Sequence, residues 1–158
     1  MKTRLAILLL AAAGALAAQS SSGYLFFAPG GVTSYGRTAM TLHAGGGGDG
    51  VLGKGIGVNV ELGGIWPREC FGPCIMGVFS PGGTYHFRRG AELKLDPFVA
   101  GGYSLMVRDG HENLFYFGGG ANYWFSRKVG LRMEMRDHVS TQYTTIQFWS
   151  FRLGVAFR

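Results

Sequence analysis

The sequence predicts an all-β fold, namely an eight-stranded antiparallel up-and-down transmembrane β-barrel. Three observations lead to this prediction. Apolar residues alternate with small or polar residues at a period of two along much of the chain. Glycine is abundant at 28 residues, whereas charged residues make up only 15%, below the roughly 25% of ordinary soluble domains. Beyond the first residues, every apolar run is broken within a few positions, so a membrane could be crossed only by strands.

The N-terminal segment 1–17 has the pattern of a secretory signal peptide. Lys2 and Arg4 precede an apolar run, and Ala15-Leu16-Ala17 forms a small-residue cleavage site. The alternative is a transmembrane anchor. It is disfavoured because the run falls short of the roughly 20 residues that a spanning helix needs, and no stop-transfer charges follow. We therefore expect an exported protein whose residues 18–158 form one barrel domain.

The alternation is clearest near the C-terminus. There, apolar residues at 129, 131, 133 and 135 alternate with Gly130, Arg132, Glu134 and Arg136, which a helix could not keep on separate faces. Similar patterns predict seven further strands within 24–28, 38–44, 56–62, 75–88, 98–107, 114–125 and 149–157. In the 75–88 segment, Ser80-Pro81-Gly82-Gly83 can kink or split the strand.

The connections are predicted to alternate in kind between the two ends of the barrel. Short turns are expected at 89–94 and 126–128, and irregular loops at 66–74, 108–113 and 137–145. The glycine-rich segment 45–50 is interpreted as a turn or flexible hairpin tip.

Alternation alone does not decide which face points outward. A membrane barrel is apolar outside, whereas a secreted soluble barrel that binds an apolar ligand is apolar inside. Here the polar face consists largely of Gly, Ala, Ser and Asn, which suit a narrow interior. The assigned apolar faces carry no charge, and Tyr123, Phe125 and Trp149 lie near strand ends, where aromatic girdles occur. These features favour the membrane barrel and leave the soluble barrel as the alternative.

The C-terminal strand resembles the assembly signal of outer-membrane barrels, in which apolar residues at every second position lead to a terminal aromatic residue. The matching residues are Trp149, Phe151, Leu153, Val155 and Phe157, and Arg158 extends one residue beyond the pattern. The segment 118–126 followed by 129–138 is similar to the penultimate hairpin of such barrels. From Tyr24 onward, the chain resembles the small outer-membrane β-barrel proteins of the OmpA/OmpX type.

This resemblance implies a bacterial outer-membrane location and two kinds of partner: the lipid and lipopolysaccharide of that membrane, and the barrel-assembly machinery. It implies no particular activity, because such barrels serve as anchors, adhesins, small pores or enzymes. The formal charge falls from +6 to +4 once Lys2 and Arg4 are removed (13 basic against 9 acidic residues), which favours anionic lipid head groups. Nucleic acid is not expected as a partner, and we expect a monomer.

Charged residues at inward positions are predicted to form a hydrogen-bonded ion network that fills the narrow interior. The six candidates are Glu61, Arg88, Arg132, Glu134, Arg136 and Arg152. The alternative for the same residues is a gated ion path. His43 and His86 share the inward face, but without a third ligand they are interpreted as hydrogen-bonded interior histidines, so no metal or cofactor is expected.

One motif raises the possibility of catalysis. His138-Val139-Ser140 resembles the His-x-Ser pair of an outer-membrane lipid A deacylase, in which His is the base and Ser the nucleophile. No Asp or Glu follows between residues 140 and 158, and on a strand Asp137 would point to the opposite face. The motif is therefore interpreted as part of a polar loop, and no catalytic residue is expected.

The leading hypothesis is a non-enzymatic barrel with a structural, adhesive or surface-interaction role.

Cys70 and Cys74, the only cysteines, flank Phe71-Gly72-Pro73 in a predicted loop. In an oxidising compartment, a pair this close most simply forms a disulfide within the loop. A metal site would need further Cys or His ligands nearby, and the surrounding sequence has none.

We predict that Cys70 and Cys74 are oxidised to each other in the exported protein. Mass spectrometry of the unreduced protein should show one intramolecular disulfide and no crosslinked dimer. Reduction should change stability little, because the entropy that a disulfide removes from the unfolded chain grows with loop length. Two free thiols in the unreduced protein would contradict this prediction.

Overall fold

A computed structural model describes residues 20–34, 36–68, 75–87, 94–108, 110–140 and 146–158. The predicted signal peptide, Cys70, Cys74 and Arg88 lie outside the described residues. Among the residues described, no helix is long and apolar enough to cross a membrane.

Eight antiparallel strands form a closed barrel in which each strand pairs with the next and β1 pairs with β8. The strands are β1 Ser20–Ser34, β2 Arg37–Gly53, β3 Ile56–Pro67, β4 Met76–His86, β5 Leu95–Val107, β6 His111–Trp124, β7 Val129–Ser140 and β8 Ile146–Phe157. The predicted eight-stranded antiparallel fold is confirmed. Each strand has at least 11 residues, which meets the roughly 9–11 that a tilted membrane strand needs.

An even number of strands brings Ser20 and Phe157 to the same end of the barrel, which we call the terminal end; the opposite end is the distal end. At the terminal end, Lys54 and Gly55 connect β2 to β3 with φ angles of 49° and 88°. Two consecutive positive φ values in a two-residue connection define a type I′ turn, whose twist suits a β-hairpin.

The interpretation of segment 45–50 as a hairpin tip was wrong, because β2 runs through it in continuous register with β1 and β3. The glycines allow close packing instead. A Cβ added at Gly47 would lie 2.6 Å from the Val60 carbonyl oxygen and 2.7 Å from the Tyr24 hydroxyl. The glycine run therefore leaves room for neighbouring strands and for an interior tyrosine.

Other expectations about strand limits change. Strand β3 extends to Pro67 and β6 begins at His111, so the predicted loops 66–74 and 108–113 each include residues that are strand. The loop predicted to start at Asp137 begins after Ser140, because β7 continues in register with β6 and β8 up to that residue. Pro81 does not split β4, which is continuous and fully paired with β3. On the β5 side, however, the pairing is interrupted at Ser80 and Pro81, since proline has no N–H to donate.

The two faces of the barrel differ sharply in chemistry. On β7, Met135 is 62% exposed, whereas Glu134 beside it is 2% exposed, so the apolar face points outward and the charged face inward. Large apolar side chains are exposed on all eight strands, whereas the buried interior contains Asp, Glu, Arg, His, Asn and Ser side chains. This arrangement is opposite to that of a soluble barrel with an apolar interior.

Small residues on neighbouring strands make room for the large interior side chains. Gly120 pairs with Glu134 on one side and Phe98 on the other, and a Cβ added there would lie 2.0 Å from the Met133 carbonyl oxygen. We predict that Gly120→Ala destabilises the barrel by about 1–3 kcal/mol, because the strands must shift to accept the methyl group. The measurement is urea unfolding of the detergent-folded protein.

Gly83→Ala provides the matched control for this substitution. Gly83 is exposed on β4, and an added Cβ would come no closer than 3.7 Å to its nearest neighbour, the Gly57 carbonyl oxygen. Its effect should stay within about 0.5 kcal/mol of zero. Equal effects of the two substitutions would show that the close packing at Gly120 is not what limits the residue size there.

Candidate functional site

The interior of the barrel contains a cluster of five buried charged side chains, which we call the ion network. They are Glu61 on β3, Arg132, Glu134 and Arg136 on β7, and Arg152 on β8, each 1–2% exposed. Alternation along β7 points its three charged residues inward, and glycines on the adjoining strands lie opposite all three, with Gly120 opposite Glu134. Gly118 pairs with Arg136, and Gly154 pairs with Arg132.

Glu134 lies between the two arginines of its own strand. Arg132 Nη2 donates to Glu134 Oε2 at 3.0 Å, and Arg136 Nε donates to Oε1 at 2.5 Å. Both carboxylate oxygens are thus paired with a cation. Charge-assisted hydrogen bonds of this kind offset the cost of burying the carboxylate away from water.

Glu61 connects this group to the rest of the barrel. Its carboxylate accepts hydrogen bonds from Arg152 Nη1 at 2.7 Å and Arg136 Nη1 at 3.3 Å. The Tyr24 hydroxyl donates to Glu61 Oε2 at 3.0 Å. Residues from β1, β3, β7 and β8 therefore meet at one carboxylate, and the network ties together strands that are distant in sequence.

Aromatic rings cover the guanidinium groups. The Arg132 guanidinium carbon lies 4.2 Å from the Tyr24 ring centre and 4.0 Å from that of Phe98. Arg152 lies 4.3 Å from the Phe26 ring centre, while Arg136 stacks similarly on Tyr116. Cation–π contacts are strongest where water is excluded, so these rings both stabilise the cations and fill the lumen.

The structure brings together five of the six residues that the sequence placed in the network, while Arg88 lies outside the described residues. Sequence reasoning missed the aromatic partners Tyr24, Phe26, Phe98 and Tyr116. Their inward direction follows from strand alternation. Their contacts with particular arginines join residues far apart in the chain, such as Phe26 and Arg152, which are 126 positions apart.

A second polar cluster, which sequence reasoning also missed, lies nearer the terminal end. His86 Nδ1 is 2.9 Å from Asp96 Oδ1, and His86 Nε2 is 3.0 Å from Asp49 Oδ2. Asn122 connects this cluster to the ion network, since it donates to Asp96 at 3.3 Å and accepts from Arg132 at 3.4 Å. His86 is therefore fully hydrogen-bonded, as the sequence analysis expected of an interior histidine.

His43 and His86 occupy different parts of the interior. His43 packs edge-on against Phe26, and its Nδ1 lies 3.2 Å from Arg152 Nη2. Its Nε2 is buried and finds no hydrogen-bond partner in the part of the chain that the structure describes. Within the described part of the chain, no group of three or more His, Cys, Asp or Glu residues has an arrangement that could hold a metal ion.

A buried apolar cluster fills the interior toward the distal end, and we call it the distal apolar cluster. Its core consists of Ile65, Val78, Met106, Leu114 and Phe148. Val32, Met76 and Ile146 pack against this core. These residues lie toward the distal ends of their strands, so the cluster separates the ion network from the distal end.

The His138-Ser140 motif lies on β7 and not in a loop, with both side chains pointing inward and at most 3% exposed. Ser140 Oγ donates to Glu112 Oε2 at 3.5 Å. His138 Nε2 is buried and has no hydrogen-bond partner among the described residues, and its ring packs near Tyr116. A nucleophile must be hydrogen-bonded to its base and reachable by substrate. A lipid outside the barrel would reach neither residue, so this geometry does not support deacylation.

The outer face of β8 carries the predicted assembly signal. Its five residues, Trp149, Phe151, Leu153, Val155 and Phe157, are each 43–44% exposed. They continue an apolar outer surface that includes Leu25, Leu62, Phe117 and Met135, each at least 60% exposed. Contiguous apolar surface of this extent is rare on soluble monomers and indicates contact with lipid or a partner.

We predict that Glu134→Ala destabilises the barrel by about 3–5 kcal/mol, because it leaves Arg132 and Arg136 buried with less compensating charge. The measurement is urea unfolding in detergent, followed by the gel shift between folded and unfolded forms. Glu112→Ala is the matched control. Glu112 is partly buried near the distal end, and its contact with Ser140 is long at 3.5 Å.

The control should lie within about 0.5 kcal/mol of the unsubstituted protein, the usual range for substitutions away from buried networks. A neutral result for Glu134→Ala would show that the contacts of Glu134 with Arg132 and Arg136 contribute nothing to stability.

No protein-family profile matches this chain, and no curated protein matches it in sequence. Solved structures do match its fold. Neisserial surface protein A superposes with a TM-score of 0.67 over 87% of this chain and 96% of its own, at 10% identity. The N-terminal β-barrel domain of OprF from Pseudomonas aeruginosa superposes with a TM-score of 0.62 over 89% of this chain and 98% of that domain, at 18% identity.

The attachment invasion locus protein Ail of Yersinia pestis, solved with the heparin analogue sucrose octasulfate, also matches. Its TM-score is 0.52 over 87% of this chain and 97% of its own, at 12% identity. At such identities the likeness concerns the fold alone. The chain therefore has the closed eight-stranded architecture of small outer-membrane β-barrels.

Proposed function

We propose that this protein is a non-enzymatic, integral outer-membrane β-barrel with a structural or surface-interaction role. The observation that carries the proposal is the opposition of the two faces: large apolar side chains point outward on every strand, while the buried charges point inward. A lipid bilayer is the solvent in which outward apolar side chains and inward charges are stable. The closed barrel also meets the second requirement of a bilayer, since the backbone groups of its strands pair with one another.

The filled interior argues for a structural or surface role over that of an open pore. Ion pairs, aromatic rings and the distal apolar cluster follow one another along the lumen. Eight strands enclose an interior just wide enough for side chains to fill, whereas water-filled channels occur in larger barrels of about 16 strands. The ion network therefore acts in this proposal as the polar core of a membrane anchor.

The partners follow from the same placement. Lipid and lipopolysaccharide contact the apolar outer face, and the outward residues of β8 are presented to the barrel-assembly machinery. We place the terminal end toward the periplasm, because an exported chain inserts from that side and only hairpin connections then have to cross the bilayer. Surface interactions belong to the distal end, and the barrel functions as a monomer.

Adhesion is the more specific form of this proposal. The fold similarity to a neisserial surface protein and to an attachment protein from Yersinia pestis supports it, although similarity at 10–12% identity concerns architecture alone. Fold by itself does not determine activity. Binding of cells expressing the protein to host matrix components, compared with cells that lack it, is the corresponding assay.

We predict that the protein stays in the outer-membrane fraction after a carbonate wash and migrates in a heat-modifiable manner in detergent gels.

Met135→Arg should reduce insertion, since a cation on the lipid-facing side costs about 2–4 kcal/mol near the midplane. His111→Arg, an exposed position at the distal start of β6, is the matched control and should insert normally.

Purified protein in planar bilayers should show no stable conductance steps above those of detergent alone. Release of the protein by carbonate would contradict membrane integration. Stable steps would instead favour the alternative of an ion path through the network.

A further inference from the structure

Four exposed cations lie side by side at the terminal end of the barrel. Lys94 precedes β5, Arg127 and Lys128 lie in the turn between β6 and β7, and Arg158 follows β8. Strands β5 to β8 are successive neighbours in the barrel, so these residues occupy one side of its rim. We call the four residues the basic arc.

Hydrogen bonds of the backbone hold the basic arc in place. The Trp124 N–H donates to the Lys94 carbonyl oxygen at 2.7 Å, and the Arg158 N–H donates to the Lys128 carbonyl oxygen at 3.0 Å. In the turn, Ser126 Oγ accepts from the Lys128 N–H at 3.2 Å. The Arg158 guanidinium carbon also lies 3.9 Å from the Trp124 ring centre. The four cations are therefore carried by a paired rim of the barrel.

The protein does not neutralise this charge at its surface. No salt bridge joins a side chain of the basic arc to a carboxylate among the described residues. Asp96 attracts Arg158 electrostatically, but it is only 7% exposed and its carboxylate already contacts His86. Asp49, the other carboxylate toward this end, is buried and also contacts His86. The basic arc therefore presents excess positive charge to its surroundings.

An apolar surface lies directly beside these cations on the outside of the barrel. Its residues are each at least 38% exposed and lie at the terminal ends of β5 to β8 or next to them: Leu95, Tyr123, Phe125, Val129 and Phe157. We call them the apolar row. The rings of Tyr123 and Phe125 contact each other edge to face, with centres 5.3 Å apart. Aromatic residues in such a position are typical of the boundary between hydrocarbon and head groups.

We infer that the basic arc binds the phosphate of an anionic phospholipid whose acyl chains lie against the apolar row. Cations beside a hydrocarbon-facing surface match a molecule that carries its negative charge at the end of apolar chains. Phosphatidylglycerol has this chemistry, since its only charge is that of a phosphodiester. Phosphatidylcholine has the same phosphate, but its own ammonium group neutralises it. This inference rests on the proposed membrane location and specifies one lipid contact at the terminal end.

Native mass spectrometry of the detergent-purified, folded protein tests this contact. The protein is incubated with equal amounts of phosphatidylglycerol and phosphatidylcholine that carry the same acyl chains. It should retain phosphatidylglycerol in preference to phosphatidylcholine. Absence of this preference would overturn the inference.

The double variant Arg127→Gln with Lys128→Gln removes two charges of the basic arc. It should weaken the retention of phosphatidylglycerol by about 25-fold, at about fivefold for each cation next to an anionic group. The charge-conserving variant Arg127→Lys with Lys128→Arg should retain the lipid as the unsubstituted protein does. Loss of the preference in the charge-conserving variant would contradict binding through charge.

Lys54→Gln with Arg37→Gln is the matched control, because it also removes two exposed cations. Lys54 lies in the β2–β3 turn, across the barrel from the β6–β7 turn in the strand order, and Arg37 begins β2 at the distal end. The preference for phosphatidylglycerol should be unchanged in this variant. Equal losses in the control and in the variant of Arg127 and Lys128 would overturn the inference, since they would indicate attraction to the overall positive charge alone.

Glycerol 3-phosphate distinguishes a lipid site from a site for free phosphate esters. Added in excess, it should not displace phosphatidylglycerol, because it has no acyl chain to contact the apolar row. Displacement would overturn the assignment to a lipid. Carbonate resistance and heat modifiability of each variant report membrane integration independently, so failure of the basic arc to bind lipid is distinguishable from failure of the proposed location.

Discussion

The structure depends on the pairing of buried charges within a barrel too narrow to admit much water. Glu134 is held by two arginines of its own strand, and Glu61 by arginines from β7 and β8. Neither carboxylate could be buried at 1–2% exposure without these partners, since an isolated buried charge is strongly unfavourable. The glycines opposite Arg132, Glu134 and Arg136 and the aromatic rings over the guanidinium groups are consequences of the same requirement.

This core reverses the usual relation between inside and outside. In a soluble protein, apolar burial provides the main driving force. Here many large apolar residues lie on the outer surface, and the interior combines ion pairs and hydrogen bonds with aromatic rings and the distal apolar cluster. In the proposed membrane location, lipid contacts this outer surface. Asp137 is a carboxylate on that surface, and its Oδ2 accepts a hydrogen bond from Gln147.

The same geometry explains why catalysis finds no support. His138 and Ser140 both point into the lumen from β7. His138 packs against Tyr116, and Ser140 donates to Glu112. The carboxylate near Ser140 is that of Glu112, which precedes the serine in the chain and lies on β6. Among the described residues, proximity to an acid does not create a triad, because no hydrogen bond joins His138 to Ser140 and both side chains are buried inside the barrel.

By itself, the sequence determined the class of fold and the direction of most side chains, because a period of two fixes which residues share a face of a strand. That period placed Arg132, Glu134 and Arg136 on one face, and the small residues that share this face favoured the inside. Only the tertiary structure decided the rest. It showed that 45–50 is strand and not turn, since the glycines meet neighbouring backbone that local sequence does not reveal. It also paired Glu61 with Arg152 and Tyr24 with Glu61, because contacts between strands far apart in sequence depend on the closure and register of the whole barrel.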